Sequence, residues 1–114
     1  MISRGYRISL ALIGLAMLCR MGAANPAVTA PQESAKILIK DFLFEPTSLR
    51  VKAGAIVTWV NLDDEPHNVV SDAGLFRSGG IDTNESFSYK FDKPGTYRLT
   101  CSIHPRMFAT IVVE

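Results

Sequence analysis

Thr96-Tyr97-Arg98-Leu99-Thr100-Cys101-Ser102-Ile103-His104-Pro105-Arg106-Met107 reads as one strand followed by a short loop rich in sulfur and imidazole. Tyr97 and Leu99 fall on one face and Thr96, Arg98 and Thr100 on the other, the period of a strand with one buried side. Cys101 continues the apolar set, so its sulfur is expected to point inward. After it the alternation stops, and Pro105 stiffens a turn that carries Met107 back toward the last apolar run.

Working outward, the same period of two recurs. Apolar and basic residues alternate in Leu49-Arg50-Val51-Lys52, and aromatic and polar residues alternate in Ser86-Phe87-Ser88-Tyr89-Lys90-Phe91. Lys36 to Lys40, Ala55 to Asn61, His67 to Ser71, Thr96 to Cys101 and Phe108 to Val113 complete the expected strands. Turn signals separate them at Glu45-Pro46, Lys52-Ala53-Gly54, Asp63-Asp64-Glu65-Pro66, Ser78-Gly79-Gly80 and Lys93-Pro94-Gly95. No helical period, repeat or low-complexity tract interrupts them. The expectation is an all-β, antiparallel β-sandwich of about seven to eight strands.

The other end of the chain reads as a leader. Arg4 and Arg7 precede an eleven-residue apolar run, Ile8 to Leu18, and the small residues Gly22, Ala23 and Ala24 follow, the pattern of a secretory signal peptide. The run is well short of the roughly 20 residues a membrane-spanning helix needs. Residues 1–24 are therefore expected to be removed, with a cut after Ala30 as the alternative; residues 25–35 are expected to form a flexible arm and residues 36–114 the domain. No membrane span is expected in the mature chain. Without Arg4, Arg7 and Arg20, nine of the 12 basic residues face 11 acidic ones, a balance that leaves no basic stripe for nucleic acid. Cys19 leaves with the leader, and bulky Met17 and Leu18 just before it argue against an acylated lipoprotein cysteine. Cys101 then stays as an unpaired thiol in an exported chain, which excludes an internal disulfide and asks for a reason.

Cys101, His104 and Met107 share one loop, and His67 lies at another expected strand end, after Pro66. One thiolate, two imidazoles and one thioether suit a single copper ion: a trigonal Cys and two His with a long, weak Met bond is the blue-copper electron-transfer site. The soft thiolate stabilises Cu(I), and imidazole serves both oxidation states. The weak thioether leaves the geometry nearly unchanged by redox, so electron transfer is fast. A metal-held thiolate is also shielded from oxidation. Copper is the expected cofactor; closing the site requires the fold to bring residues 67 and 101 together, a contact between non-neighbouring strands that a sandwich permits.

Each donor alone has a plainer reading: the inward Cys as a small core residue, the His as a satisfied side chain, the Met as packing. Their joint spacing favours the metal. Trp59 and the series Phe87, Tyr89 and Phe91 read as core rather than as electron relays, and Tyr97 after Pro94-Gly95 as a corner-packing residue. Cys101 and His104 with Asn68 as orienter have the residue types of a cysteine hydrolase, yet the domain is small, shows no oxyanion loop and turns the thiol inward. A copper oxidase or nitrite reductase needs further ligands, and His67 and His104 are the only 2 histidines of the 114 residues. The chain is therefore read as no enzyme. Cys with two His also suits zinc; Met as the fourth donor points to copper.

Taken together, Phe44-Glu45-Pro46, Gly54-Ala55-Ile56-Val57-Thr58-Trp59-Val60-Asn61, Pro66-His67-Asn68-Val69, Pro94-Gly95-Thr96-Tyr97 and the Cys-x-x-His-x-x-Met loop resemble the cupredoxins, most closely the amicyanin and plastocyanin branch. The resemblance implies a Greek-key sandwich over residues 36–114 holding one type 1 copper by His67, Cys101, His104 and Met107. It implies that Asn68 hydrogen-bonds near the Cys101 sulfur and ties the two ligand loops together, and that the His104 ring edge is the electron port. It further implies a monomeric periplasmic carrier of single electrons between redox partner proteins, a dehydrogenase or a cytochrome, docking near His104. A copper-binding or copper-delivery protein without electron transfer is the alternative, and electron exchange with a partner separates the two. Where amicyanin has an aromatic residue after the loop proline this chain has Arg106, which points to a different partner. The Asp63-Asp64-Glu65 tract reads as a solvated turn rather than a steering patch for a basic partner.

Overall fold

A computed structural model of the chain describes residues 33–114; the expected signal peptide, most of the expected arm and Cys19 lie outside the described residues. All regular structure among the described residues is strand: β1 (Ser34–Lys40), β2 (Leu43–Glu45), β3 (Ser48–Val51), β4 (Ala55–Asn61), β5 (Val70–Ser71), β6 (Ser86–Phe91), β7 (Gly95–Thr100) and β8 (Phe108–Val113). They form two four-stranded sheets, in the orders β2-β1-β4-β6 and β3-β8-β7-β5. The sandwich is as expected, and the alternating stretches read for β4, β6 and β8 begin and end where these strands do. Both sheets are mixed, because β1 pairs with β4 and β3 with β8 in parallel. Side-chain alternation is the same in parallel and antiparallel strands, so strand direction is not written in it.

Burial follows the pleat. Along β4, Ala55, Val57, Trp59 and Asn61 are buried and the residues between them are half-buried. Ala109, Ile111 and Val113 do the same on β8 and join Leu99 of the adjacent β7 and Ile37 and Ile39 of β1 in one core. Each large apolar side chain so enclosed contributes about 1.5–3 kcal/mol relative to exposure. Trp59 is fully buried with its ring 5.8 Å from Phe87, 5.9 Å from Phe76 and 6.4 Å from Phe91, distances of packed aromatic neighbours. Tyr97 closes a corner by donating its hydroxyl to the Lys93 carbonyl at 2.7 Å.

Two segments differ from the periodic reading, and both lead to the site. His67 to Ser71 is strand only at Val70–Ser71. His67 instead exchanges both backbone hydrogen bonds with Ile81, at 3.1 and 2.7 Å, and the Val69 N–H is taken by the Ser78 hydroxyl at 2.8 Å. β2, three residues long, is too short to show alternation, and it follows a two-residue turn with Asp41 at φ 52° and Phe42 at φ 58°. Such a turn needs positive φ at both central positions. Asp tolerates that conformation, whereas for a bulky Phe it is an outlier that surrounding structure must hold.

Candidate metal centre

At one end of the sandwich the structure brings together the loops 61–67 and 101–107. Cys101 follows β7 and is fully buried, as its strand phase requires. The loop after it closes on itself: the Cys101 N–H donates to the Met107 carbonyl at 3.0 Å and the Met107 N–H to the His104 carbonyl at 2.9 Å. These two bonds carry Met107, 2% exposed, into the same core cluster as Cys101. Ser102, Ile103, Pro105 and Arg106 remain exposed, with His104 half-buried between them. Phe42, Ile103, His104, Pro105, Arg106 and Met107 line a shallow cavity of about 340 Å³ at this surface.

His67 arrives from the other loop fully buried. Its Nδ1 lies 4.0 Å from the Cys101 sulfur. First-row metal bonds of about 2.3 Å to thiolate and 2.0–2.1 Å to imidazole, the zinc values, allow one ion to span that separation. The His104 ring stands beside that of His67, centroids 5.1 Å apart, and the Phe42 ring meets both edge-on, at 5.2 Å from His67 and 4.9 Å from His104. Among the described residues no group of three or more His, Cys, Asp and Glu side chains is placed to hold a metal ion. The converging set is the His67–Cys101 pair, the neighbouring His104 ring and the thioether residue Met107 packed in the same core.

Asn68, 6% exposed, joins the two loops. Its Oδ1 accepts the Ser102 N–H at 2.8 Å and its Nδ2 donates to the Ser102 hydroxyl at 2.6 Å. Arg77 donates to the same hydroxyl at 3.2 Å. The tie between the two loops therefore runs through the residue that follows the cysteine.

Three residues of the site have roles that strand periodicity does not reveal. Asn61 is wholly buried at the end of β4; its amide donates to the carbonyls of Glu65 at 2.7 Å and Ile81 at 2.8 Å, and its Oδ1 accepts the Asp63 N–H at 2.9 Å. An Asn closing a strand with an Asp two residues on is the available signal, the pattern of a side chain that nucleates a turn. Asp63 is the second. Asp64 and Glu65 are exposed, as a solvated turn requires, but the Asp63 side chain is only 11% exposed and faces inward. Its Oδ1 accepts the Asp41 N–H at 2.7 Å, and its Oδ2 accepts both the Phe42 N–H at 2.9 Å and the His67 Nε2 at 2.8 Å. Burial alone would raise its pKa; the Phe42 and Asp41 N–H groups and the His67 ring outweigh that and hold the carboxyl below its ordinary value. Phe42 is the third, and the two bonds to Asp63 are what keep its turn in the left-handed region.

The profile of the cupredoxin-like domain matches residues 9–113. The chain belongs to the cupredoxin-like family. It is 34% identical to amicyanin-alpha of Methylorubrum extorquens over 96% of either chain. It is 40% identical to plastocyanin of Scenedesmus fuscus over 63% of this chain and 87% of that protein. Among solved structures, an amicyanin variant in its Cu(I) form superposes with a TM-score of 0.68 at 31% identity, covering 71% of this chain and 82% of that one. Cupredoxins such as amicyanin and plastocyanin are electron carriers rather than enzymes and take a single type 1 copper. The donor chemistry here fits that ion: buried sulfur and imidazole 4.0 Å apart, a second imidazole beside the first and a buried thioether.

Proposed function

We propose that the chain is an exported type 1 copper protein that carries single electrons between redox partners, with His67, Cys101, His104 and Met107 as the ligands. The observation that carries this reading is the pairing of a fully buried imidazole and a fully buried thiol, with Nδ1 and Sγ 4.0 Å apart. Bound there, copper supplies one-electron chemistry by cycling between Cu(II) and Cu(I). Cys101 supplies the soft, electron-rich donor and His67 the buried imidazole. Met107 presents a thioether from the core side. His104 is half-buried beside the cavity at Ile103, Pro105 and Arg106, and its ring edge is the port through which an electron enters and leaves. Asn68, through Ser102, keeps the two loops in register, so the donor set changes little when the charge changes. A rigid, water-poor donor set lowers the rearrangement that each transfer requires.

Export follows from the leader read at residues 1–24, and the periplasm is the address we assign. Among the described residues no helix is long and apolar enough to cross a membrane. The partner is a redox protein that docks over His104, a dehydrogenase or a cytochrome. Arg106 stands in its path as an exposed cation.

The test is the absorption and electron paramagnetic resonance spectrum of residues 25–114 after adding Cu(II), with Zn(II) and Cys101→Ser as controls. An intense band toward the red with narrow copper hyperfine splitting, absent from both controls, is expected. A colourless product, or a band that survives Cys101→Ser, overturns the assignment. Reversible electron exchange with a redox protein then separates a carrier from a copper-delivery protein.

A further inference from the structure

We propose that Asp63 is a positioning residue of the metal centre: its carboxylate orients the His67 ring with Nδ1 toward Cys101 and strengthens that imidazole as a donor to the oxidised ion. The inference rests on the reading above, in which His67 binds copper.

An ionised carboxylate has lone pairs but no proton to give. The 2.8 Å contact between Asp63 Oδ2 and His67 Nε2 is therefore a hydrogen bond donated by Nε2–H. In the neutral ring this fixes the tautomer and leaves the Nδ1 lone pair facing the sulfur, 4.0 Å away. A carboxylate on the far nitrogen of a metal-binding imidazole draws on its proton and raises the basicity of the near nitrogen. The negative charge also lies behind the ring, where it favours the more highly charged ion. Both effects act in the same direction: they stabilise Cu(II) more than Cu(I), so Asp63 lowers the reduction potential.

The surroundings of Asp63 are organised for this role rather than for solvation. The Asp41 and Phe42 N–H groups fix both carboxylate oxygens, the Asn61 amide oxygen takes the Asp63 N–H, and the Thr83 hydroxyl donates to the Asp63 carbonyl at 2.6 Å. Asp63 Oδ2 holds two donors at once, Phe42 N–H and His67 Nε2–H. One oxygen thus ties the buried imidazole to the turn that sets the Phe42 ring against both histidines.

The experiment compares wild type with Asp63→Asn, which keeps shape and one acceptor oxygen and loses the charge. Affinities for Cu(II) and Cu(I) are measured separately, together with the potential and the apo-protein melting curve. Cu(II) affinity is expected to fall about ten- to a hundred-fold, the usual effect of losing a partner of a metal-bound histidine. Cu(I) affinity falls less, and the potential rises accordingly. Equal losses for both ions with an unchanged potential would reduce Asp63 to a structural role and overturn the inference. A wild type without the thiolate-to-copper band would instead overturn the copper reading itself. Should the variant not fold, the wild type loaded with Zn(II) gives the answer by ¹⁵N-edited NMR. A slowly exchanging, far-downfield His67 Nε2 proton is expected, and one that exchanges as fast as a free imidazole contradicts the proposal.

Discussion

The two loops that meet at the candidate metal centre are built in opposite ways. Between residues 61 and 67 the chain is held by side chains: Asn61 bonds three backbone groups and Asp63 holds two more together with the His67 ring. Between residues 101 and 107 it is held by its own backbone, through Cys101–Met107 and Met107–His104, with one side-chain tie from Asn68 to Ser102. The first loop presents a histidine that is fully buried with both ring nitrogens directed. The second leaves its histidine half-buried among exposed neighbours. On the proposed copper reading the difference is a division of labour: one loop would fix the geometry of the ion from within, and the other would carry the ligand through which the outside is reached.

That division is most directly broken at Asn61. Asn61→Ala removes two donated bonds and one accepted bond, and leaves the Glu65 and Ile81 carbonyls and the Asp63 N–H without that partner. At about 1 kcal/mol for each, the apo-protein should lose about 3 kcal/mol, read as a lower urea midpoint at constant slope. A loss below about 1 kcal/mol would mean that the first loop is not held by this side chain. Ser102→Ala probes the second loop in the same units. It deletes the acceptor of Asn68 Nδ2 and Arg77 but keeps the backbone bond to Asn68 Oδ1, and the exposed Arg77 regains water in place of its bond, so a loss of about 1 kcal/mol is expected. A loss as large as that of Asn61→Ala would erase the contrast between the loops.

The same contrast decides what was legible in the sequence. Strand phase places Cys101 inward, because side-chain alternation is a local property that burial enforces, and the Pro94-Gly95 turn just before Tyr97 marks that residue as a corner. The donor loop is legible for a related reason, since three of the four candidate ligands lie within seven residues and are held there by short-range backbone bonds. Loop 61–67 is a different case. Asp63 resembles its neighbours Asp64 and Glu65 in composition, and only the approach of the β1–β2 turn, 21 and 22 residues away, turns it into an acceptor for Phe42 and Asp41. The parallel pairings and the short strand β2 are likewise set by contacts between distant segments. What is local reads out, and what depends on two loops meeting does not.

Met107→Leu tests the core side of the second loop. Swapping Met for Leu conserves volume, so the apo-protein should change by less than about 1.5 kcal/mol. With copper bound, loss of a donor to the oxidised ion should raise the reduction potential while the strong visible band remains. An unmoved potential would exclude Met107 as axial ligand, leaving its burial as packing alone.

Arg106→Ala has the smallest expected effect and the most selective one. The side chain is exposed and makes no ion pair among the described residues, so the apo-protein should stay within about 0.5 kcal/mol of wild type. It is nevertheless the cation that lines the cavity beside His104. A small anionic reagent such as hexacyanoferrate approaching this port meets an attractive charge in the wild type and none in the variant. Oxidation of the Cu(I) protein by hexacyanoferrate(III) should therefore slow a few-fold at low ionic strength and converge with wild type as salt screens the interaction over about 10 Å at 0.1 M. A cationic oxidant should show the reverse, speeding up in the variant. If neither rate depends on residue 106 at any ionic strength, the electron does not leave beside Arg106, and the division between an inner, fixed histidine and an outer, accessible one loses its functional half.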